Sequence, residues 1–249
     1  THGWLAVKGH LAYGIMTDGN WQEEQTGPEG FHARHVLYHS KAGYIMIGNP
    51  DRFMPLSLEL GLEMATQFGG TSHMFDAAGK ETVVKNNGGL KGMFKALIPG
   101  GGDAPEMSTI YQNAEGNHLG SWVARLNYDA DTWKFSFYAD KYFEDHSSMF
   151  LIDYDGYGTG EEWNVKKKRK FILYDLTDWL LGVELNFKYN RWVRDIVVEY
   201  INTKYQSGPI YHDHTHNNQV HVGGNDNFYN HYIYTGWQHW GQAMGNPLY

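Results

Sequence analysis

Glu59 and Glu63 lie on one strand-like stretch, 56–68, and a carboxylate pair is the first candidate for chemistry. In an extended chain the two share a face, about 13 Å apart at about 3.3 Å per residue. Glycoside hydrolysis needs its carboxyl groups roughly 5 to 9.5 Å apart, so this pair does not suit it. The cluster His212, His214, His216 and His221, with Asp213 between, offers imidazole nitrogens to a metal. Its spacing fits no closed zinc pattern and His-rich loops are common at low specificity, so neither metal nor cofactor is expected. No Gly-rich phosphate loop, nucleophile elbow or His-Glu-x-x-His pattern occurs, and no enzyme is expected. A third set suits holding rather than cleaving: Glu144, Asp145, His146, Gln206, Asp226, Asn227, Tyr229 and Trp237. These polar and aromatic residues converge at the bases of loops, where hydrogen bonds and ring stacking could hold a polysaccharide. Otherwise they only order the loops.

The elements that must position these groups are strands. From Leu56 to Phe68 the chain alternates without a break, with Leu56, Leu58, Leu60, Leu62, Met64, Thr66 and Phe68 on one face. At roughly 40 Å such a strand can cross a bilayer core at a tilt. Alternation alone does not decide whether the apolar face meets a core or lipid. A first strand is expected over about 4–16 and a second, less regular one over about 33–48. A long insertion covers 69–116, in which Leu90, Met93, Phe94, Leu97 and Ile98 predict one amphipathic helix, stopped by Pro99 and the glycines after it. Two hairpins follow, one turning at 129–132 and one at Asn190-Arg191. The last strand is placed near 228–240, with aromatics on both faces.

The connections between these strands run long, short, long, short, long, short, long. A barrel in an outer membrane has tight turns at one end and long loops at the other, whereas a soluble sandwich or jelly roll has no reason to alternate. The expected fold is therefore all-β, an antiparallel up-and-down transmembrane β-barrel in a single domain, 1–249. Its lumen would be lined by Lys8, His10, Glu59, Glu63, Gln67, Arg125, Lys134, Asp140, Glu184, Lys188 and Glu199. These groups are either charge pairs that prop or fill the pore, or a track for a hydrated polymer. Aromatic content of 16% and 30 Gly suit a barrel with aromatic girdles and also suit a sugar-binding protein. No apolar run reaches the eighteen or so residues of a membrane helix, which a barrel does not need. A net charge of −8 argues against nucleic acid, and the basic run at 166–170 reads as a solvated loop. The absence of cysteine leaves the redox compartment open.

Several runs carry a family resemblance: 60–70 (LGLEMATQFGG), 116–122 (GNHLGSW), 142–147 (YFEDHS), 206–209 (QSGP) and the closing 236–248, in that order. In these the chain resembles the Wzi capsule-assembly family of outer-membrane proteins. The resemblance implies a lectin-like barrel in a Gram-negative outer membrane, without catalytic residues, that attaches or organises capsular polysaccharide. Its implied partners are surface polysaccharide, outer-membrane lipid and other outer-membrane proteins. A passive porin, or a soluble carbohydrate-active protein, is the alternative. Barrels of that family have about eighteen strands, and about eight are expected here. The chain is therefore expected to be part of a larger barrel, with no ladder joining 4–16 to 228–240.

Overall fold

The computed structural model describes residues 3–48, 55–98, 116–144, 149, 165, 178–204, 206–211, 222–225, 228–231 and 233–244. The chain is mostly antiparallel β-sheet with two short helices. Its first half holds β1 (Leu5–Ile15), α1 (Gly19–Thr26), β2 (His32–Arg34), β3 (Leu37–Ile47), β4 (Leu56–Phe68), β5 (Thr71–Phe75), β6 (Glu81–Lys85) and α2 (Leu90–Leu97). Then come β7 (Asn117–Asp129), β8 (Trp133–Glu144), β9 (Trp179–Phe187), β10 (Asp195–Asn202), β11 (Ser207–Tyr211), β12 (Val222–Asn225), β13 (Gln238–His239) and β14 (Gln242–Ala243).

Seven strands form one sheet in the order β1-β3-β4-β7-β8-β9-β10, each beside its chain neighbour within that sheet. The strand ends at 47 and 56, 129 and 133, and 187 and 195 lie at one end of the sheet, and those at 15 and 37, 68 and 117, and 144 and 179 at the other. β2, β5 and β6 form a separate three-stranded sheet, so the insertion expected as loop and helix also contains a hairpin. Its turn is closed by Asp76, whose Oδ1 accepts from the N–H groups of Ala78 and Lys80, both at 2.9 Å. The strand expected over 33–48 is divided into β2 and β3, with His35 in left-handed backbone (φ 55°) between them. The second hairpin turns through 188–194, longer than a two-residue turn at Asn190-Arg191. There Asn190 Oδ1 accepts from Trp192 N at 2.9 Å, and Trp192 stands in solvent rather than on a strand.

Register commits every residue of the sheet to one face. One ladder row runs Leu5, Ile47, Leu58, Leu126, Phe137, Val183, Val198, and the next on that face runs Val7, Ile45, Leu60, Ala124, Ala139, Leu181, Tyr200. Both rows are apolar across all seven strands, and most of their large side chains are exposed, Val7 to 73%. The core lies elsewhere, at the long-loop end, where Met16, Ala33, Val36 and Tyr234 pack with Ile233 and Met244.

Nearer the long loops the same face turns polar and is covered. His39, Lys41, Thr66, His118 and Lys141 share it with Tyr13 and Phe68. Thr66 Oγ1 lies 2.9 Å from His118 Nδ1, and Lys41 Nζ donates to the carbonyls of Ala96 and Leu97. The latter bonds put a cation against the last carbonyls of α2, where the helix leaves acceptors unpaired. Tyr13 OH also donates to Met93 O at 3.3 Å, so α2 lies across this face of the sheet.

On the opposite face two glycines make room for tyrosine rings. A Cβ on Gly61 would come within 2.4 Å of the Tyr44 ring, and one on Gly182 within 2.2 Å of the Tyr138 ring. Each glycine is the direct cross-strand partner of its tyrosine. The rings lie over the neighbouring strand and carry their hydroxyls to Glu63 and Glu199. The space left by these glycines is thus filled by rings. Gly61→Ala or Gly182→Ala should therefore destabilise the sheet by about 1–3 kcal/mol through overpacking, measured by urea unfolding. Combining Gly61→Ala with Tyr44→Ala should recover part of the loss, and an additive double variant would contradict the packing.

Candidate functional site

Ladder register places Lys8, His10, Glu59, Glu63, Gln67, Arg125, Lys134, Asp140, Glu184 and Glu199 on one face of the sheet, opposite the apolar rows. Lys188 lies in the 188–194 turn, with its ammonium paired to Asp129. Lys8 bridges to Glu59 at 3.1 Å and sits over the Tyr44 ring, 4.5 Å from its centroid. Arg125 pairs with Glu184, sends Nε to Asn127 Oδ1 at 3.1 Å and covers the Tyr138 ring. Asn127 also accepts from Ser136 Oγ at 2.7 Å. This part of the face is a connected network in which cations and ring hydroxyls compensate the carboxylates. A polar cavity of about 350 Å³ remains beside it, lined by Lys8, Ser57, Glu59, Arg125, Asp129 and Lys134. Glu59 and Glu63 are thus each engaged with a different neighbour, Lys8 and Tyr44.

The stretch 228–244 differs from expectation. Of the strand placed near 228–240, only Gln238–His239 is extended and paired among the described residues, with Gln242–Ala243, and the other described residues are turns or irregular backbone. Among the described residues no ladder joins β1 to this segment or to β10. Aromatics at both parities reflect burial on both sides: Phe228, Tyr234 and Trp237 are all inside. Polar side chains from the long-loop end hold the irregular backbone. Gln67 Nε2 donates to Gly236 O at 2.9 Å, Ser72 Oγ donates to Ile233 O at 2.6 Å, and Trp240 N donates to Asp18 Oδ2 at 3.1 Å. Gln67 is itself oriented by Asn117 Nδ2 at 2.9 Å. The segment therefore lies over the long-loop end of the polar face. A cavity of about 370 Å³ remains there, lined by His10, Tyr38, Glu63, Ser121, Tyr142 and Trp237, among others.

The residues expected to hold polysaccharide separate into groups. Trp237 is 2% exposed and packs edge-on against Tyr38, so its ring face is unavailable for open stacking on a chain of sugars. Gln206, in left-handed backbone (φ 43°), accepts from Phe228 N at 2.7 Å and so positions the start of the segment. Tyr229 is partly buried and interacts electrostatically with Tyr142. Glu144 ends β8 opposite Leu119. Asp145, His146, Asp226 and Asn227 lie outside the described residues, as do His212, Asp213, His214, His216 and His221. Among the described residues, no group of three or more His, Asp or Glu is placed to hold a metal.

Sequence reasoning missed α1 and its contacts. Gln22 Oε1 accepts from Ala33 N at 2.8 Å, Arg34 pairs with Glu23, and Gly27 (φ 80°) ends the helix. The available signal was Asp18 before the helix and Gly27-Pro28 after it, a start and stop pair without apolar periodicity between. His231 was missed as well. Its Nδ1 accepts from Ile233 N at 3.1 Å and lies 3.4 Å from Tyr234 N, and burial lowers its pKa to about 4.

Compared with family models, curated proteins and solved structures, the chain has no significant match.

His231 gives this region a pH dependence. The unfolded imidazole gains its proton below about 6.5, while the native one stays neutral until about 4. Stability should therefore fall as pH drops from 6.5 to 4 and level off below, by roughly 3 kcal/mol at about 1.4 kcal/mol per pH unit. His231→Asn, which keeps an acceptor for Ile233 N, should flatten that window relative to wild type in unfolding titrations. Equal slopes would contradict the burial of His231. Trp237→Ala should cost about 3–5 kcal/mol as a core truncation, seen as a lower unfolding midpoint.

Proposed function

We propose that this chain is part of an outer-membrane β-barrel that binds or organises surface polysaccharide and carries out no catalysis. The observation that carries the membrane half is the pair of adjoining ladder rows, apolar across seven strands and largely exposed. A water-soluble monomer rarely leaves so large an apolar patch uncovered, whereas lipid covers it at no cost. Leu90 and Phe94 of α2, with Ile98 after it, extend the exposed apolar surface beyond the sheet, and α2 lies on the same side as the apolar rows. No described helix is long and apolar enough to cross a membrane, and a barrel crosses by strands. In lipid the sheet edges at β1 and β10 must find partners, which further strands of a larger barrel would supply.

The polysaccharide half rests on the polar face, on the cavities at its long-loop end and on the resemblance to capsule-assembly barrels. Capsular polysaccharide and outer-membrane lipid are the partners this reading names. A passive porin shares the two-faced sheet but would not need the cavities around 228–244.

The protein should fractionate with outer membranes. Phe135→Asp and Leu185→Asp alter a directly paired couple on the apolar face. Each should cost up to a few kcal/mol near the bilayer midplane and reduce the heat-modifiable, assembled form on gels. Solubility without detergent, or tolerance of both changes, would sink the membrane half. Asp145→Ala should release polysaccharide from cells without loss of folded protein, and unchanged retention would count against its role. Retained ion conductance in planar bilayers, together with unchanged surface polysaccharide after deletion of the protein, would favour the porin.

A further inference from the structure

We infer that α2 is an interfacial anchor whose apolar side lies in outer-leaflet lipid, so that the helix carries the lipid-facing surface of the sheet over its polar end. This rests on the membrane reading above and assigns that surface its outer boundary.

The orientation of α2 is the reverse of what water selects. At about 100° per residue, Met93, Leu97, Leu90, Phe94 and Ile98 fall on one side of the helix. An amphipathic helix of a water-soluble domain turns such a side to the core. Here Leu90, Phe94 and, at the C-terminal cap, Ile98 are 76%, 68% and 70% exposed, while Gly92 and Ala96 are buried. The large apolar groups thus point away from the sheet, and the small residues are enclosed.

What α2 covers accounts for this reversal. Toward the long loops the apolar face of the sheet carries His39, Lys41, Thr66 and His118. A cation left on a lipid-facing surface costs up to about 2–4 kcal/mol at mid-depth, and less near the boundary. Lys41 is half-buried and donates to Ala96 O at 2.8 Å and to Leu97 O, while Tyr13 OH donates to Met93 O at 3.3 Å. By these bonds α2 reaches from β1 to β3 across the polar patch and presents hydrocarbon in its place. Leu11 and Ile15, on the same face of β1 to either side of Tyr13, are exposed as well, so apolar surface flanks the helix.

Lipid is the occupant this continuity selects, because the hydrocarbon that covers the apolar rows reaches α2 next. The long-loop end of an outer-membrane barrel points outward, which places the helix at the outer leaflet. Its eight residues, at about 1.5 Å each, make about 12 Å and cannot span a bilayer, so α2 lies on the membrane rather than across it. Helices of this kind sink their apolar side about 5–10 Å into the boundary between headgroups and acyl chains.

The test uses single-cysteine variants, since the chain has no cysteine. Phe94→Cys and Ile98→Cys report on the outward side of α2, Leu60→Cys on the apolar rows, and Lys80→Cys on the exposed turn between β5 and β6. Each carries a nitroxide label on the full chain in vesicles of phosphatidylethanolamine and phosphatidylglycerol. Molecular oxygen concentrates in hydrocarbon and a neutral nickel chelate in water, so spin relaxation by each shows what surrounds the label. Oxygen should relax the labels at 94, 98 and 60 more than the nickel chelate does, and the order should reverse at 80. Ile98→Cys serves if Phe94→Cys fails to fold. Nickel access at 94 or 98 matching that at 80 would overturn the anchor, and so would shielding from both reagents, which would mark a protein contact or a second copy of the chain. Oxygen preference kept at 60 in those cases would leave the membrane reading standing. Nickel access at 60 would remove that reading, and the anchor with it.

Discussion

Every face assignment in this protein depends on the register of the seven-stranded ladder. A slip of one residue at any pair would carry Glu63 or Arg125 into the apolar rows and Leu60 or Leu126 into the polar network. Backbone hydrogen bonds do not by themselves forbid that slip, so side chains must oppose it. Tyr44 over Gly61 and Tyr138 over Gly182 interlock neighbouring strands, and each hydroxyl reaches a carboxylate that only the native register presents. The ion pairs Lys8–Glu59 and Arg125–Glu184 span strands that are not direct neighbours in the ladder, and thereby tie the register of one pair to the next. The polar face thus fixes which residues make up the apolar one.

The sequence was most legible where only one constraint acted on a strand. β4 alternates without a break, and β7 and β8 alternate until His118 and Lys141 enter the apolar face near the long loops, because each face meets a single environment over most of its length. β3 alternates less well because its apolar face carries Ile45 and Ile47 at one end but His39 and Lys41 at the other, where loops and α2 take over. α1 lacks apolar periodicity because Gln22 and Arg34–Glu23, rather than an apolar stripe, fasten it. The 228–240 segment misleads for the opposite reason. Phe228, Tyr234 and Trp237 are buried while Trp240 is half-exposed, a distribution that irregular backbone allows and a two-faced strand pattern does not describe.

The candidate site was legible as chemistry but not as place. The charged groups of the polar face follow from parity alone, since each lies on a regular strand. Cavities formed by 18–31 and 230–238 join residues some two hundred positions apart, and no local pattern marks Asp18 as the partner of Trp240. Trp237 was the more deceptive case. A tryptophan near polar groups suggests a stacking platform, yet its burial against Tyr38 makes it part of the packing that supports the site.

The stretch 228–244 is held by side chains far from it in sequence. Irregular backbone away from water must have its polar groups paired, and here Gln67, Ser72 and Asp18 supply the partners from three separate elements. Gln67 and Ser72 use the polar atoms seen here to secure the segment, and Gln67 is fully buried beneath it. Asp18 Oδ2 secures Trp240 N, while its buried Oδ1 lies 3.9 Å from His239 Nε2. Fixing the segment therefore consumes much of the polar surface at the long-loop end.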